Sequence, residues 1–291
     1  MEFKVTTIDD EIHALTTIIE SRLPSGRVSQ GTGFFYHVLG EAVGDDEHAR
    51  RIDSVWLVTN RHVLMPDEER PELVAFMLRT LLPSGGVEWL PITLNRGQLE
   101  ERARIHADAD VDVAATDVTA ELFAAADGGA TLAYAAVGEE NFPGTDKLDV
   151  SVASDIIVVG YPKGYYDKVN KFPIVKAGII ASRWKAHFQG KPAFLIDAKL
   201  FPGSSGSIVV SKPTDYVIEG GQIFMSQSKN FCFLGIFSGE PYELATTPVE
   251  TDDGLVYKKE RFDLGLAWYY YLIPDIIAKG AGIKEGVTPH A

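Results

Sequence analysis

Ser205 stands in Pro202-Gly-Ser-Ser-Gly-Ser207, a run of small residues entered from an apolar segment and left through Ile208-Val-Val210. Small residues between two apolar strands predict a tight turn that other backbone approaches closely. In such a turn a hydroxyl projects outward, and the N–H groups of Gly203 and Ser205 converge on one side. Acyl transfer needs that pairing of a nucleophile with donors for a developing oxyanion. Read alone, the string also fits a plain Gly/Ser hairpin. A serine hydroxyl becomes a nucleophile only when a base takes its proton, and the base needs a partner that fixes its tautomer. Of seven histidines, His62 has the most informative setting, directly after the apolar run Val55-Trp-Leu-Val-Thr-Asn60. An imidazole there sits on a rigid element yet faces a cleft; the competing reading is a structural histidine at a strand end. The acidic partner also belongs at a strand end, pointing inward. Asp112 in Asp112-Val-Ala-Ala115 fits, but Asp108, Asp110 and Asp117 surround it. Chemistry alone does not choose among the four, and most of them read as a solvated loop face.

These residues need rigid elements to hold them. Thr7 to Glu20 has Ile8, Ile12, Leu15 and Ile19 at helical spacing, with Thr7 and Asp10 as a capping pair, and predicts an N-terminal helix ended by Pro24-Ser-Gly26. Strands punctuated by turns follow: Gly31 to Tyr36, Ser54 to Thr59, Leu73 to Met77, Val87 to Leu94 and Asp110 to Val118, with Gly40 to Asp53 as an acidic loop. Thr119 to Val150, rich in Ala, Gly and acidic residues, reads as a connection with a short helical piece near Glu121 to Ala125. Further strands are expected at Asp155 to Pro162, Phe172 to Ile180, Ala193 to Asp197, Phe231 to Ser238 and Asp263 to Tyr271. Pro274 to Lys279 suits a closing helix with Pro in its first turn. Many short strands, two comparable halves and few helices indicate an all-β chain of sandwiches or barrels.

At 291 residues the chain is long enough for two packed halves. Its formal net charge of -14 disfavours generic binding to nucleic acid or an anionic membrane. The single cysteine, Cys232, lies in an apolar run, where it reads as core and excludes an intramolecular disulfide. No basic start followed by an apolar run opens the sequence and no run of about 18 apolar residues occurs, so neither a signal peptide nor a membrane span is expected, and a cytoplasmic location is.

Taken together, these motifs resemble the trypsin-like (chymotrypsin-fold) serine peptidases, which carry His, Asp and Ser in that chain order, and in texture the disulfide-free bacterial Deg-type members. Gly31-Thr-Gly-Phe34 looks like their opening strand, Thr59-Asn-Arg-His-Val63 like their histidine motif, and Asp112-Val-Ala-Ala115 like their Asp-Ile/Leu-Ala motif, which selects Asp112. Val159-Gly-Tyr-Pro162, Lys176 to Ser182 and Asp197 to Gly206 resemble the early strands and nucleophile motif of their second barrel. The likeness runs from about Gly31 to Ile277. It implies two six-stranded antiparallel β-barrels with an N-terminal and a C-terminal helix and the site in the crevice between the barrels. The implied segments are 1–26 (helical), 27–120 (first barrel, His62 and Asp112), 121–150 (connection) and 151–291 (second barrel, Ser205 and the closing helix).

The resemblance further implies a serine endopeptidase in which Ser205 attacks, His62 serves as base and then acid, Asp112 orients the ring, and the N–H groups of Gly203 and Ser205 hold the oxyanion. Ser238-Gly239-Glu240 resembles the strand that pairs with substrate backbone. Lys199, six residues before Ser205, falls where the family often floors its first specificity pocket; there it favours an acidic or polar side chain, and as a snorkelling surface lysine it favours nothing. Glu240 on the rim gives the opposite preference. No metal and no organic cofactor are expected. The expected partners are a protein or peptide substrate and a regulatory protein that releases a latent form. Ser204 stands where secreted trypsins carry Asp and Deg-type members usually Asn, so activation by a freshly cut N-terminus is not expected; Ser207 replaces the commoner second Gly. No appended peptide-binding domain is expected after the closing helix. The alternative from another class is a catalytically silent trypsin-like module that binds peptides or proteins.

Overall fold

The computed structural model describes residues 7–43, 46–144, 148–219, 221–244, 249–251, 254–256 and 259–283. The chain opens with a short helix, α1 (Ile8–Ala14), whose Thr7 hydroxyl accepts the Asp10 N–H while the Asp10 carboxylate accepts the Thr7 N–H. The helix expected to reach Glu20 stops there, and Thr16–Arg22 is strand β1. Four β-branched residues, Thr16 to Ile19, are stiff at χ1 and poor helix formers. They are buried and paired with β2 (Val28–Val43), and from Ile19 on the strand also pairs with β4 (Leu73–Leu81), so tertiary pairing overrides the helical spacing.

Strand β2 pairs with β3 (Asp46–Thr59) as far as Val43, so most of the expected loop from Gly40 to Asp53 is a paired ribbon with irregular register. A one-turn helix, α2 (Arg61–Leu64), ends β3, and β4 is followed by β5 (Val87–Asn95), α3 (Arg96–Arg102), β6 (Ala103–Ile105) and β7 (Ala114–Asp117). The strand expected from Asp110 is therefore shorter, its first residues forming the coil that carries Asp112. Then come α4 (Thr119–Asp127), where the short helical piece was expected, and β8 (Thr131–Leu132), which pairs with β4. With Ala281–Gly282, these strands make a nine-stranded antiparallel sheet among the described residues, in the order 281–282, β6, β7, β3, β2, β1, β4, β5, with β8 beside β4. It wraps a core of Phe35, Leu57, Phe76, Leu94, Leu99 and Leu122.

The second half is a closed six-stranded barrel built from β9 (Asp155–Gly160), β10 (Ile174–Ile180), β11 (Ala193–Asp197), β12 (Ile208–Ser211), β15 (Phe233–Gly239) and β16 (Gly265–Tyr269). Between β12 and β15 stands a separate hairpin of β13 (Thr214–Glu219) and β14 (Gln222–Asn230), which the sequence pattern did not suggest. Helix α5 (Leu272–Lys279) follows with Pro274 in its first turn, and the chain then returns to pair with β6 at Arg104 and Ile105. A third cluster fuses the halves: Phe34, Tyr36, Val58 and Val113 of the first pack with Ile208, Phe233, Trp268 and Ile273 of the second. The Phe34 and Phe233 rings meet edge-on at 5.3 Å. No helix among the described residues is long and apolar enough to cross a membrane.

Candidate active site

His62 is on α2, immediately beyond β3, and α2 is anchored from below by the buried Ser21 hydroxyl donating to the Val63 carbonyl at 2.8 Å. Its imidazole is half exposed while Val63 and Leu64 on either side of the turn are buried. Two neighbours draw the 109–112 coil against it. Asn60, fully buried, donates through Nδ2 to the Asp112 carbonyl at 2.8 Å, and Arg61, also buried, donates to the Ala109 carbonyl at 3.2 Å and pairs with Glu68. Asp112 then faces His62 with both oxygens: Oδ1 accepts the His62 main-chain N–H at 2.9 Å and Oδ2 lies 2.7 Å from Nδ1. A carboxylate so placed keeps the Nδ1 proton on the ring and leaves Nε2 as the basic nitrogen. Two of the other three carboxylates are engaged elsewhere. Asp108 accepts the Asp110 N–H, and Asp117 accepts the N–H and hydroxyl of Thr119.

The second half brings Ser205 and Ser238 to the same place. The Ser238 hydroxyl donates to Asp112 Oδ2 at 2.6 Å, joining β15 to the coil of the first half. The Ser205 hydroxyl donates to the Ser238 carbonyl at 2.8 Å, and among the described residues it makes no hydrogen bond to His62. A rotation about its χ1 separates this orientation from one facing the imidazole.

The turn before Ser205 has a defined hand. Phe201 accepts the Ser204 N–H at 3.0 Å around Pro202-Gly203, and Gly203 has φ 85°, a type II turn with Pro and Gly at the positions that require them. The Pro202 carbonyl accepts the Lys163 N–H at 2.8 Å, and the peptide is trans, so the Gly203 N–H points the opposite way. The Ser204 carbonyl is likewise taken by the Ser207 N–H at 2.9 Å. The N–H groups of Gly203 and Ser205 have no acceptor among the described residues, which leaves two donors for an anionic oxygen. Thr32, fully buried on β2, clamps the turn from behind: its N–H donates to the Ser205 carbonyl at 2.9 Å and its hydroxyl to the Gly203 carbonyl at 3.1 Å, while that hydroxyl accepts the Tyr161 N–H at 2.9 Å. Gly206, φ 84°, lies so close that a Cβ there would collide with the Thr32 carbonyl.

Of the remaining expected residues, Gly239 faces open space, and Ser238 to Glu240 lie past the point where β12 stops pairing with β15. Lys199 is exposed on the coil after β11 and forms no ion pair among the described residues. Two other lysines approach the turn: Lys163 and Lys176 place their ammonium groups 5.6 and 5.1 Å from the centroid of the Phe201 ring. Sequence reasoning did not single out Asn60, Arg61, Thr32 or Lys163. The first three lie inside motifs that were noticed for other members, and Lys163 is marked only by following Tyr161-Pro162.

Residues 31–218 match the family described as Trypsin-like peptidase domain. The chain belongs to that family. No curated protein matches it. Among solved structures, this trypsin-like chain is similar to Deg5, at 16% identity and TM-score 0.45 over 93% of this chain and 92% of that one. It is similar to the active form of the Rv3671c protease from M. tuberculosis, at 15% identity and TM-score 0.45 over 97% and 91%. It is also similar to the HtrA-type protease AlgW with tripeptide, at 14% identity and TM-score 0.44, covering 94% of this chain but only 63% of that one.

Proposed function

We propose that this trypsin-like domain is a serine endopeptidase that cleaves peptide bonds in proteins through an acyl-enzyme intermediate. The observation that carries the reading is the pair of hydrogen bonds between Asp112 and His62, from its main-chain N–H and from Nδ1, with Ser238 on the same carboxylate. His62 Nε2 takes the proton of Ser205 as the hydroxyl, swung from the Ser238 carbonyl, attacks the scissile carbonyl. Asp112 stabilises the imidazolium and keeps the ring in the required tautomer. The carbonyl oxygen, becoming an oxyanion, is held by the N–H groups of Gly203 and Ser205, each donor worth roughly 3–4 kcal/mol of barrier. His62 then gives its proton to the leaving amine, and a water repeats the sequence to free the acid. Substrate backbone extends β15 at Ser238 to Glu240, where that strand has no β12 partner.

A second reading is supported by one observation, the resting bond of Ser205 to Ser238: a domain held latent until a protein partner or substrate turns the hydroxyl. A cytoplasmic setting fits an endopeptidase controlled in this way. Labelling of purified protein by a fluorophosphonate probe, beside Ser205→Ala, tests both. Labelling of the wild type alone is expected. Labelling that appears only in cell extract supports latency, and none in either leaves the silent binding module.

A further inference from the structure

Arg79 is a buried cation outside the proposed triad and its immediate supports. It projects from β4 of the first half, is 6% exposed, and has no carboxylate partner among the described residues. A guanidinium taken out of water is costly unless acceptors meet it. Here the acceptors are all neutral: Nη1 donates to the His13 carbonyl at the end of α1 at 2.7 Å, and Nη2 donates to the Lys171 carbonyl at 2.9 Å and the Tyr161 hydroxyl at 3.4 Å, while the buried Nε meets no acceptor among the described residues. The Phe172 ring lies over Cζ, its centroid 5.5 Å away. Burial pulls the Arg79 pKa down, although the group stays a cation at neutral pH.

Every partner except His13 belongs to one segment, the loop 161–172 between β9 and β10 of the second half. That loop lies across the first half. The Tyr166 ring stacks on Trp89 of β5 at 4.7 Å, Lys171 sits over the same indole, and the Tyr161 hydroxyl reaches the Thr16 carbonyl of β1. Its near end is the backbone that supports the oxyanion turn. Lys163 donates its N–H to Pro202, and a Cβ on Gly203 would come within 2.7 Å of that nitrogen. Hydrogen bonds and covalent backbone therefore run unbroken from α1 through Arg79 and the loop to the peptide that carries the Gly203 N–H.

We propose that Arg79 is a positioning residue for the oxyanion turn: by strapping the loop 161–172 to β4 and α1, it holds the Lys163 N–H against the Pro202 carbonyl and so aims the Gly203 N–H at the developing charge. Type I and type II turns differ by rotation of the central peptide, and Lys163 is the donor that selects between them here. The inference rests on the endopeptidase reading for its catalytic consequence and on geometry alone for the coupling itself.

Two readouts test it on the full chain. Arg79→Met fills similar space without donors. Amide hydrogen exchange is expected to speed up in this variant both in 161–172 and at the Ser204 N–H, the hydrogen-bonded amide of the turn 201–205, which Arg79 does not touch. Turnover of a peptide substrate is expected to fall about tenfold in kcat with KM little changed, part of the roughly 10²–10³-fold that one oxyanion donor supplies. Affinity for a peptide aldehyde, whose adduct carries an oxyanion, should fall by the same factor. Arg79→Lys, which keeps the charge but not the fork, should fall between the two. Should Arg79→Met not fold, Tyr161→Phe, which removes one Arg79 partner and the contact to Thr16, is read in the same way. Faster exchange confined to 161–172, or a kcat unchanged beside a loosened loop, overturns the proposal. A wild type that cleaves and labels nothing defeats the endopeptidase reading instead, and the exchange of 201–205 still decides whether Arg79 couples to the turn.

Discussion

At the scale of single residues, the proposed mechanism separates groups that touch substrate from groups that aim them. Asp112 is the hinge between the two, since its carboxylate holds His62 twice and receives Ser238. Asp112→Asn is expected to lower kcat by about 10⁴-fold, because an amide that donates to Nδ1 forces the wrong imidazole tautomer while the geometry survives. Ser238→Ala removes only one bond to the carboxylate. A hydrogen bond to a charged group is worth about 1.5–3 kcal/mol, so a smaller loss of roughly 10- to 100-fold is expected, with KM little changed. Steady-state kinetics on one peptide ranks the two, and a Ser238→Ala enzyme as impaired as Asp112→Asn would mean that Ser238 does more than steady Asp112. Residue chemistry alone left four carboxylates as candidates, and the motif resemblance picked Asp112. What chose between them bottom-up was Asn60 and Arg61 drawing the 109–112 coil to His62, a contact between segments far apart in the chain.

At the scale of elements, α1 and β1 show how a correct pattern yields the wrong boundary. Ile8, Ile12 and Leu15 face one core while Ile19 faces that of the first half, because strand pairing takes over at Thr16, where β2 offers a ladder to β-branched residues. The short helix that remains carries a cost. Burial raises the Glu11 carboxyl pKa above its ordinary value. A carboxyl with a raised folded pKa stabilises the fold most below its unfolded pKa and loses that contribution as pH rises through the folded value. Glu11→Gln is therefore expected to raise Tm at pH 7 and to change it little at pH 4, when unfolding is followed by circular dichroism. An equal gain at both pH values would assign the effect to helix propensity instead.

At the scale of the whole molecule, two halves of different closure behave as one body. The C-terminal half closes into a barrel; the N-terminal sheet is extended by residues 281–282 from the far end of the chain; and the cluster around Phe34, Phe233 and Ile273 runs through both. Truncating a fully buried aromatic costs about 3–5 kcal/mol. Phe233→Ala is accordingly expected to lower the stability of both halves together, as a single transition at lower denaturant seen by tryptophan fluorescence and by exchange in each half. Two separated transitions would mean that the shared cluster does not couple them. The crevice depends on this coupling, because Asp112 and Ser238 approach from opposite halves.

Local chemistry determined much of this in advance. Many short strands punctuated by turns indicate the all-β class, and small residues between two apolar segments indicate the tight turn, whereas its type II hand is a feature of the folded chain. His62 and Ser205 were legible because each sits where an apolar strand meets a turn, a position that both rigidifies and exposes a side chain. Tertiary structure decided the rest. The extent of β1, the ribbon of β2 and β3, the seating of Asp112 against His62, the Thr32 clamp and the Arg79 strap all depend on partners distant in sequence. Hydrogen-bond satisfaction of buried groups is a property of the assembled chain, and residue spacing carries no record of which carbonyl a buried donor will meet.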